Sequence, residues 1–470
     1  VTRQKGRVVV VGAVRMDIPR ENFFKKEINI VISRSYGPGR YDPSYEEKGI
    51  DYPLSYVRFT EQRNMETFLS LLSQKKLDLK NLITHRFTLD EAATAYQLIE
   101  GKKTEPYLGI LLSYNSKTFD KNSSDLIKIN PTKVDNDKIK ISFYGAGNYA
   151  TATLIPLMKD SGKVSFNGLV TSTGMSAQSV AKKFDFNYCA SSYKEILNDK
   201  NDVVAITTRH DTHSKAICDA LAANKNVYVE KPLALSVSEL EDIHKAYTDN
   251  AKSQIMVGFN RRFAPSTNEI IQHFESVKSP LVINIRVNAG FIPADHWTQD
   301  AQEGGGRMIG EGCHFIDLAS AITKSNVKTI YAVGSSKEEK SALLNDNLCL
   351  SLTFENGSIA NITYTADGSK AMSKEHIEVF GGGRSAQIKD FKEISLFDGD
   401  KKVKDKKLGS QDKGQKSMID SWLKGIQNGE PCIDYNSLMQ TSLATILSIE
   451  SLSIGMPLDV DSKLYKIKSS

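Results

Sequence analysis

The pattern of apolar and polar positions divides the chain into three textures. The first, residues 1–112, opens on an unbroken apolar run, Val8-Val9-Val10-Val11, between Gly6 and Gly12. Such a run predicts a parallel strand covered on both faces, which needs neighbours. One candidate neighbour follows, over residues 28–33. A loop rich in Gly, Pro and Tyr comes next (33–43). Met65, Phe68, Leu69 and Leu72 then predict a helix over 64–74, and Ala92, Ala95, Tyr96 and Ile99 a second over 89–100. A strand over 108–112 ends this texture. The approach to the first strand is abrupt, so the unit reads as partial, with residues expected upstream. Residues 113–137 are polar and predict an exposed linker.

From Lys138 the period changes. Strands are predicted at 138–144, 165–170, 202–207, 226–229 and 254–257. Helices are predicted between them at 148–159, 176–184, 193–198, 211–223 and 236–248. This alternation means parallel βαβ units with right-handed crossovers. Beyond residue 280 come β-rich runs at 281–288, 328–333, 348–354, 358–364, 376–380 and 386–389. Glu355-Asn356-Gly357 and Gly381-Gly382-Gly383 mark turns among them. Helices at 416–428 and 436–453 close the chain. The fold expected is α/β: a partial α/β unit (1–112), a linker (113–137), a Rossmann doubly wound parallel sheet (138–260), and an α+β substrate domain with an open, mostly antiparallel sheet (261–470).

Composition narrows the partners. Of 470 residues, 40% are hydrophobic and 25% charged, normal for a soluble globular protein. A net charge of +5, from 61 basic and 56 acidic side chains, implies no nucleic-acid partner. No apolar run is long enough to span a membrane, and no signal-peptide layout opens the chain. The five cysteines are scattered, without a C-x-x-C pair, and read as reduced thiols of a cytoplasmic protein.

The sharpest local signal is Gly145-Ala146-Gly147-Asn148-Tyr149-Ala150, a G-x-G-x-x-A directly after an apolar strand and before a helical pattern. Gly145 permits a tight turn, Gly147 lets backbone approach a pyrophosphate, and Ala150 lets the helix pack on the strand. The helix N-terminus then offers free N–H groups to phosphates. NAD or NADP is the expected cofactor. The next strand ends Val170-Thr171-Ser172 with no acid for the adenosine ribose, so Thr171 and Ser172 are expected at that edge and the choice of dinucleotide stays open.

Candidate chemistry follows at the carboxyl ends of later strands. Glu230-Lys231-Pro232 places a charged pair where α/β sheets bind ligands. A lysine there can hydrogen-bond a substrate oxygen, or it can be a solvated surface residue. Gly304 to Asp317 holds five glycines, Arg307, Glu311 and His314; a histidine near carboxylates can act as a base, or sit in the core. Trp297 either stacks on a sugar ring or packs in the core, with Asp295 and His296 beside it to bind hydroxyls. His210 and His213 lack a third metal ligand, so no metal is expected; cofactor-loop roles are expected for both, with substrate reading by the stretch Thr208 to His213 as the alternative.

Together, G-x-G-x-x-A, Glu230-Lys231-Pro232, Gly258-Phe259-Asn260-Arg261-Arg262-Phe263 and Gly304 to Asp317 resemble the glucose-fructose oxidoreductase/inositol dehydrogenase (Gfo/Idh/MocA) family over about residues 138–455. The resemblance implies Lys231 and His314 as catalytic residues. It implies Gly145 to Ala150, Thr171, Ser172, Thr207, Thr208, Arg209, His213, Glu230, Lys231 and Asn260 around the cofactor. Arg261, His296, Trp297, Arg307, Glu311 and His314 are expected around the substrate. Members often carry an acid four residues before the histidine; here Gly310 stands there, with Glu311 one place on.

The first unit has its own resemblance, to the C-terminal part of a zinc-type medium-chain alcohol dehydrogenase, carried by the Gly6 to Gly12 stretch, Lys26-Glu27-Ile28 and the closing helix and strand. It has no cysteine, only His85, and no dinucleotide loop. The pairing resembles bi-domain oxidoreductases of bacterial surface-polysaccharide synthesis. The expected activity is hydride transfer between NAD(P) and a secondary alcohol of a sugar or nucleotide sugar, in a homo-oligomer. A non-catalytic dinucleotide sensor or scaffold, and a sugar hydrolase working through a transient redox cycle, are the alternatives.

Overall fold

The computed structural model describes residues 2–12, 14–33, 37–47, 49–114, 126–130, 137–171, 174–250, 252–335 and 345–469. The chain divides into two compact units, Val1–Lys121 and Asn122–Ser470.

In the first unit, Arg7–Val10 pairs in parallel with Asn29–Ile32. Ile83–Thr88, which periodicity does not predict, pairs in parallel with Gly109–Ser113. Helices occupy Glu61–Ser73 and Ala92–Ile99. The expectation of a first strand covered on both faces is corrected. Val9 is 51% exposed, and among the described residues Arg7–Val10 pairs with one strand only.

In the second unit, a seven-stranded sheet runs in the order Ile255–Val257, Asn226–Val229, Val203–Ile206, Ile139–Tyr144, Val164–Val170, Tyr188–Ala190, Leu126–Lys128. All neighbours are parallel except the last pair. Leu126–Lys128 lies within the stretch expected as linker, yet it hydrogen-bonds as an edge strand of this sheet. Its three residues are too short for a periodic signal. Ile139–Tyr144 sits centrally: the chain first winds outward through Val164–Val170, then returns to the other side at Val203–Ile206. That reversal opens a crevice beyond the carboxyl ends of the two strands. Phe143 anchors the core beneath it, edge-on to Phe166 and Phe186 at 5.9 and 5.8 Å.

A nine-stranded sheet follows, ordered Lys401–Lys407, Glu393–Asp398, Arg384–Lys389, Glu375–Gly381, Val282–Asn288, Ile359–Thr365, Asn347–Phe354, Val327–Gly334, Leu458–Asp459. Only Val282–Asn288 and Ile359–Thr365 pair in parallel. Its strands bury alternate residues, as in Asn347–Phe354, so one face is covered. Helix Tyr435–Ile454 packs along Val327–Gly334, and Cys313–Thr323 packs on that helix. The edge strand Lys401–Lys407 escapes the sequence pattern because it is mostly lysine and exposed, a composition that protects a sheet edge from further pairing.

Candidate active site

The glycine loop follows Ile139–Tyr144 directly. Gly145 adopts φ +99, and a Cβ there would lie 2.6 Å from the Thr207 carbonyl, so only glycine fits between the two strand ends. The turn is fixed from both sides. Gly145 N donates to Val170 O at 2.8 Å, and Thr207 donates through its Oγ1 to Gly145 O at 2.8 Å. Above Gly147 the space is open: a Cβ there would meet nothing within 4 Å. Ala150 is buried and begins a π-helical turn, Ala150–Leu154, that leads into Ile155–Asp160. An open cradle over backbone amides at a helix start, beside a strand reversal, fits a dinucleotide pyrophosphate.

The loop forms one end of a cleft of about 1310 Å³. Of the residues singled out from the sequence, Gly145 to Ala150, Thr171, Thr207, Thr208, Arg209, Glu230, Lys231, Asn260, Arg261, Trp297 and His314 line it. Ser172 lies outside the described residues.

Lys231 stands at the end of Asn226–Val229, ahead of a cis bond to Pro232. Its Nζ donates to Gly310 O at 2.7 Å, which ties it to the stretch leading into the His314 helix. Glu230 turns inward beneath it. Burial raises its pKa, Lys231 opposes that shift, and Tyr228 donates to Glu230 Oε1 at 2.7 Å. His314 is 6% exposed, and its Nδ1 has no partner among the described residues. Burial pushes its pKa well down, and Arg261, Lys231, Lys413 and Lys374 push the same way, so the ring is neutral near pH 7.

Five expected residues do not line the cleft, Asp295 among them. His213 is fully buried, with Nδ1 at 2.7 Å from Pro232 O and Nε2 at 3.3 Å from Thr208 O, so it positions the lysine turn and the loop after Val203–Ile206. His296 is exposed and caps a short turn, its Nδ1 accepting from Thr298 N. Arg307 is spent on Gly290 O and Glu311. Glu311 accepts from Arg307 at 2.9 Å, Lys374 at 2.6 Å and Tyr364 at 2.6 Å. Although burial opposes ionisation, Lys374 and these hydrogen bonds hold Glu311 far below the usual carboxylate range. It is a fixed anion in a closed network, and it does not stand in for a side chain at Gly310. Arg261 lines the cleft but spends its guanidinium on Glu375, through two bonds of 2.9 Å each.

The cleft also holds His210, which the sequence marks, and Lys413, Gln415 and Glu303, which it does not. Lys413 and Gln415 come from a distant stretch, held where Asn260 Nδ2 donates to Lys413 O at 2.8 Å. His210 and Glu303 enter through a clasp between two loops. Arg209 pairs with Glu303 and lies over Trp297, and Asp211 N donates to Glu303 O at 3.2 Å. The pairing of residues 94 positions apart has no local signature. Among the described residues no cluster of His, Cys, Asp or Glu could hold a metal, and no helix is long and apolar enough to cross a membrane.

Comparison with known proteins agrees with this geometry. Residues 139–259 match the oxidoreductase family with an NAD-binding Rossmann fold, and residues 279–386 match the GFO/IDH/MocA C-terminal domain. An uncharacterised oxidoreductase of Bacillus subtilis, YrbE, is 26% identical over 298 residues, 60% of this chain and 86% of that protein. Inositol 2-dehydrogenase of Salmonella typhimurium is 32% identical over 142 residues, 29% of this chain and 40% of that protein. Levoglucosan dehydrogenase, solved with NADH and levoglucosan, superposes with a TM-score of 0.61 at 18% identity, covering 69% of this chain and 99% of that one. An oxidoreductase domain protein from Kribbella flavida gives the same TM-score and coverage. At such identity the structural likeness speaks for the fold. The chain thus resembles Gfo/Idh/MocA oxidoreductases over residues 139–259, in their NAD-binding domain, and over residues 279–386, in their C-terminal domain.

Proposed function

We propose that this chain transfers hydride between a nicotinamide dinucleotide and a secondary alcohol of a sugar, a related polyol or a nucleotide sugar. One observation carries the reading: the glycine cradle, the Lys231 amine and the neutral His314 imidazole line one continuous cleft. The inositol and levoglucosan dehydrogenases among the similar proteins support the substrate class.

When bound, the dinucleotide supplies the hydride acceptor or donor. The amides at Gly145 to Ala150 would hold its pyrophosphate. Lys231 spends one N–H on Gly310 and keeps two for the substrate oxygen. As an alcohol loses its carbon-bound hydride it must also lose its hydroxyl proton, and the neutral His314 is the group placed to accept it. Burial, with the cations around it adding to the shift, keeps His314 unprotonated at neutral pH.

Lys231→Ala tests the assignment. NADH affinity is expected to stay within about threefold, while turnover falls by roughly 10²–10⁴. Unchanged turnover rejects the role of Lys231. The absence of a carboxylate at Gly310 favours the second reading, a dinucleotide sensor. Tight NADH binding with no turnover of any sugar by the unaltered protein would choose it. The likeness of the first unit to the end of a medium-chain dehydrogenase is also our inference, supported by its valine-rich strand and by the closing helix Ala92–Ile99 and strand Gly109–Ser113.

A further inference from the structure

His210 is a buried imidazole, 5% exposed, in a short 3₁₀ turn after Val203–Ile206. Its Nδ1 lies 2.7 Å from Gly304 O. A carbonyl only accepts, so Nδ1 carries the hydrogen. Burial, with Lys231 adding to it, lowers the ring's pKa to about 3, so it is neutral and Nε2 holds a bare lone pair. No described residue hydrogen-bonds that nitrogen, although the ring lines the cleft beside Lys231, Trp297 and His314.

The ring also sits where a side chain at 310 would project. A Cβ built on Gly310 would lie 3.0 Å from His210 Cε1. The same glycine's carbonyl holds the Lys231 amine. Amine and imidazole therefore meet around one residue, whose carbonyl holds the amine and whose missing side chain makes room for the ring. The ring is held in that place. Trp297 packs edge-on at 4.8 Å, with the Arg209–Glu303 clasp behind it.

We propose that His210 is a substrate-binding residue whose Nε2 accepts the hydrogen of a substrate hydroxyl while the Lys231 ammonium donates to the same or the adjacent oxygen. A hydroxyl both donates and accepts, so it satisfies the pair. A carboxylate or phosphate oxygen cannot donate and would set lone pair against lone pair at Nε2. The site thus selects a neutral polyol hydroxyl beside the amine. This rests on the dehydrogenase reading above.

The test uses the whole 470-residue chain labelled with ¹⁵N-histidine and saturated with NADH. Imidazole nitrogens are followed by NMR as myo-inositol, glucose or levoglucosan is added. Before addition, His210 is expected as the Nδ1–H tautomer. At least one probe is expected to move the Nε2 resonance and leave Nδ1 nearly still. His210→Ala is expected to weaken binding of that probe at least tenfold and leave NADH affinity within twofold. An Nε2–H tautomer, or an Nε2 resonance that none of the three probes moves, overturns the proposal. Failure of NADH to bind at all is a different result, because it removes the dehydrogenase reading itself.

Discussion

Two valine-rich strands of this chain, Arg7–Val10 and Val203–Ile206, have similar composition and opposite fates. Val203, Val204 and Ile206 are all 0% exposed, whereas Val9 is 51% exposed. The second strand lies between two parallel neighbours, and helix His213–Ala222 packs on it. The first has one parallel neighbour among the described residues. The contrast extends to the whole of each unit. In Val1–Lys121 the buried apolar side chains among the described residues are Ala95 and Leu98, while the contiguous core belongs to Asn122–Ser470. Apolar sequence thus permits burial, but neighbours supply it, and the free energy gained from a valine depends on the area actually removed from water.

The largest expected effect sharpens this contrast. Phe143 is 0% exposed and touches Phe166 and Phe186 edge-on. Phe143→Ala is expected to destabilise the second unit by about 3–5 kcal/mol, the cost of lost burial plus an unfilled cavity. Both tryptophans, Trp297 and Trp422, lie in that unit, so the urea midpoint of tryptophan fluorescence reports it selectively. A loss below about 1 kcal/mol would show that this core tolerates voids as readily as an exposed strand does.

The next effect is one of pH, and it belongs to the second unit alone. Burial lowers the pKa of His213 from 6.5 to about 4. The unfolded chain binds a proton at this ring near pH 6.5, and the folded chain resists it until about pH 4. Stability from the neutral ring is therefore complete above pH 6.5 and is lost progressively as pH falls toward 4. Its size is on the order of 3 kcal/mol. His210, pushed to about 3, adds to the same slope. Fluorescence-detected urea midpoints should fall between pH 7 and 4.5, and His213→Gln should flatten part of that fall. A midpoint curve identical to that of the unaltered protein would mean that His213 titrates normally.

What sequence reveals differs between the units for the same reason. Five strands of the Rossmann sheet read correctly because their apolar residues are bounded by helical periodicity, whereas Tyr188–Ala190, three residues long, does not read as a strand. The glycine loop reads correctly because Gly145 and Gly147 are required by a turn and by open space, both local demands. Lys231 and His314 could be picked out by their motifs, and the structure brings both to the cleft. Residues whose place is set by a distant partner do not read. Glu311 looks like a base one position from Gly310, but Lys374, Tyr364 and Arg307 claim it. Lys413 has no local motif, and its place depends on Asn260. Leu126–Lys128 is hidden in a polar stretch because an edge strand of three residues shows no period.

The smallest expected effect is the most direct test of the contrast. Val9→Ala removes two methyl groups from a side chain that is already half in water, so the transfer term is small and no closed cavity forms. The change should leave the fluorescence midpoint of the second unit unmoved and shift any far-UV circular dichroism transition by under about 0.5 kcal/mol. Val204→Ala, in the buried strand, should cost about 1–3 kcal/mol by the same chemistry. The pair differs mainly in surroundings, so the ratio of the two losses measures what the neighbours contribute. A loss at Val9 as large as that at Val204 would mean that something covers the first strand in solution, and the two fates drawn from the exposed and buried valines would become one.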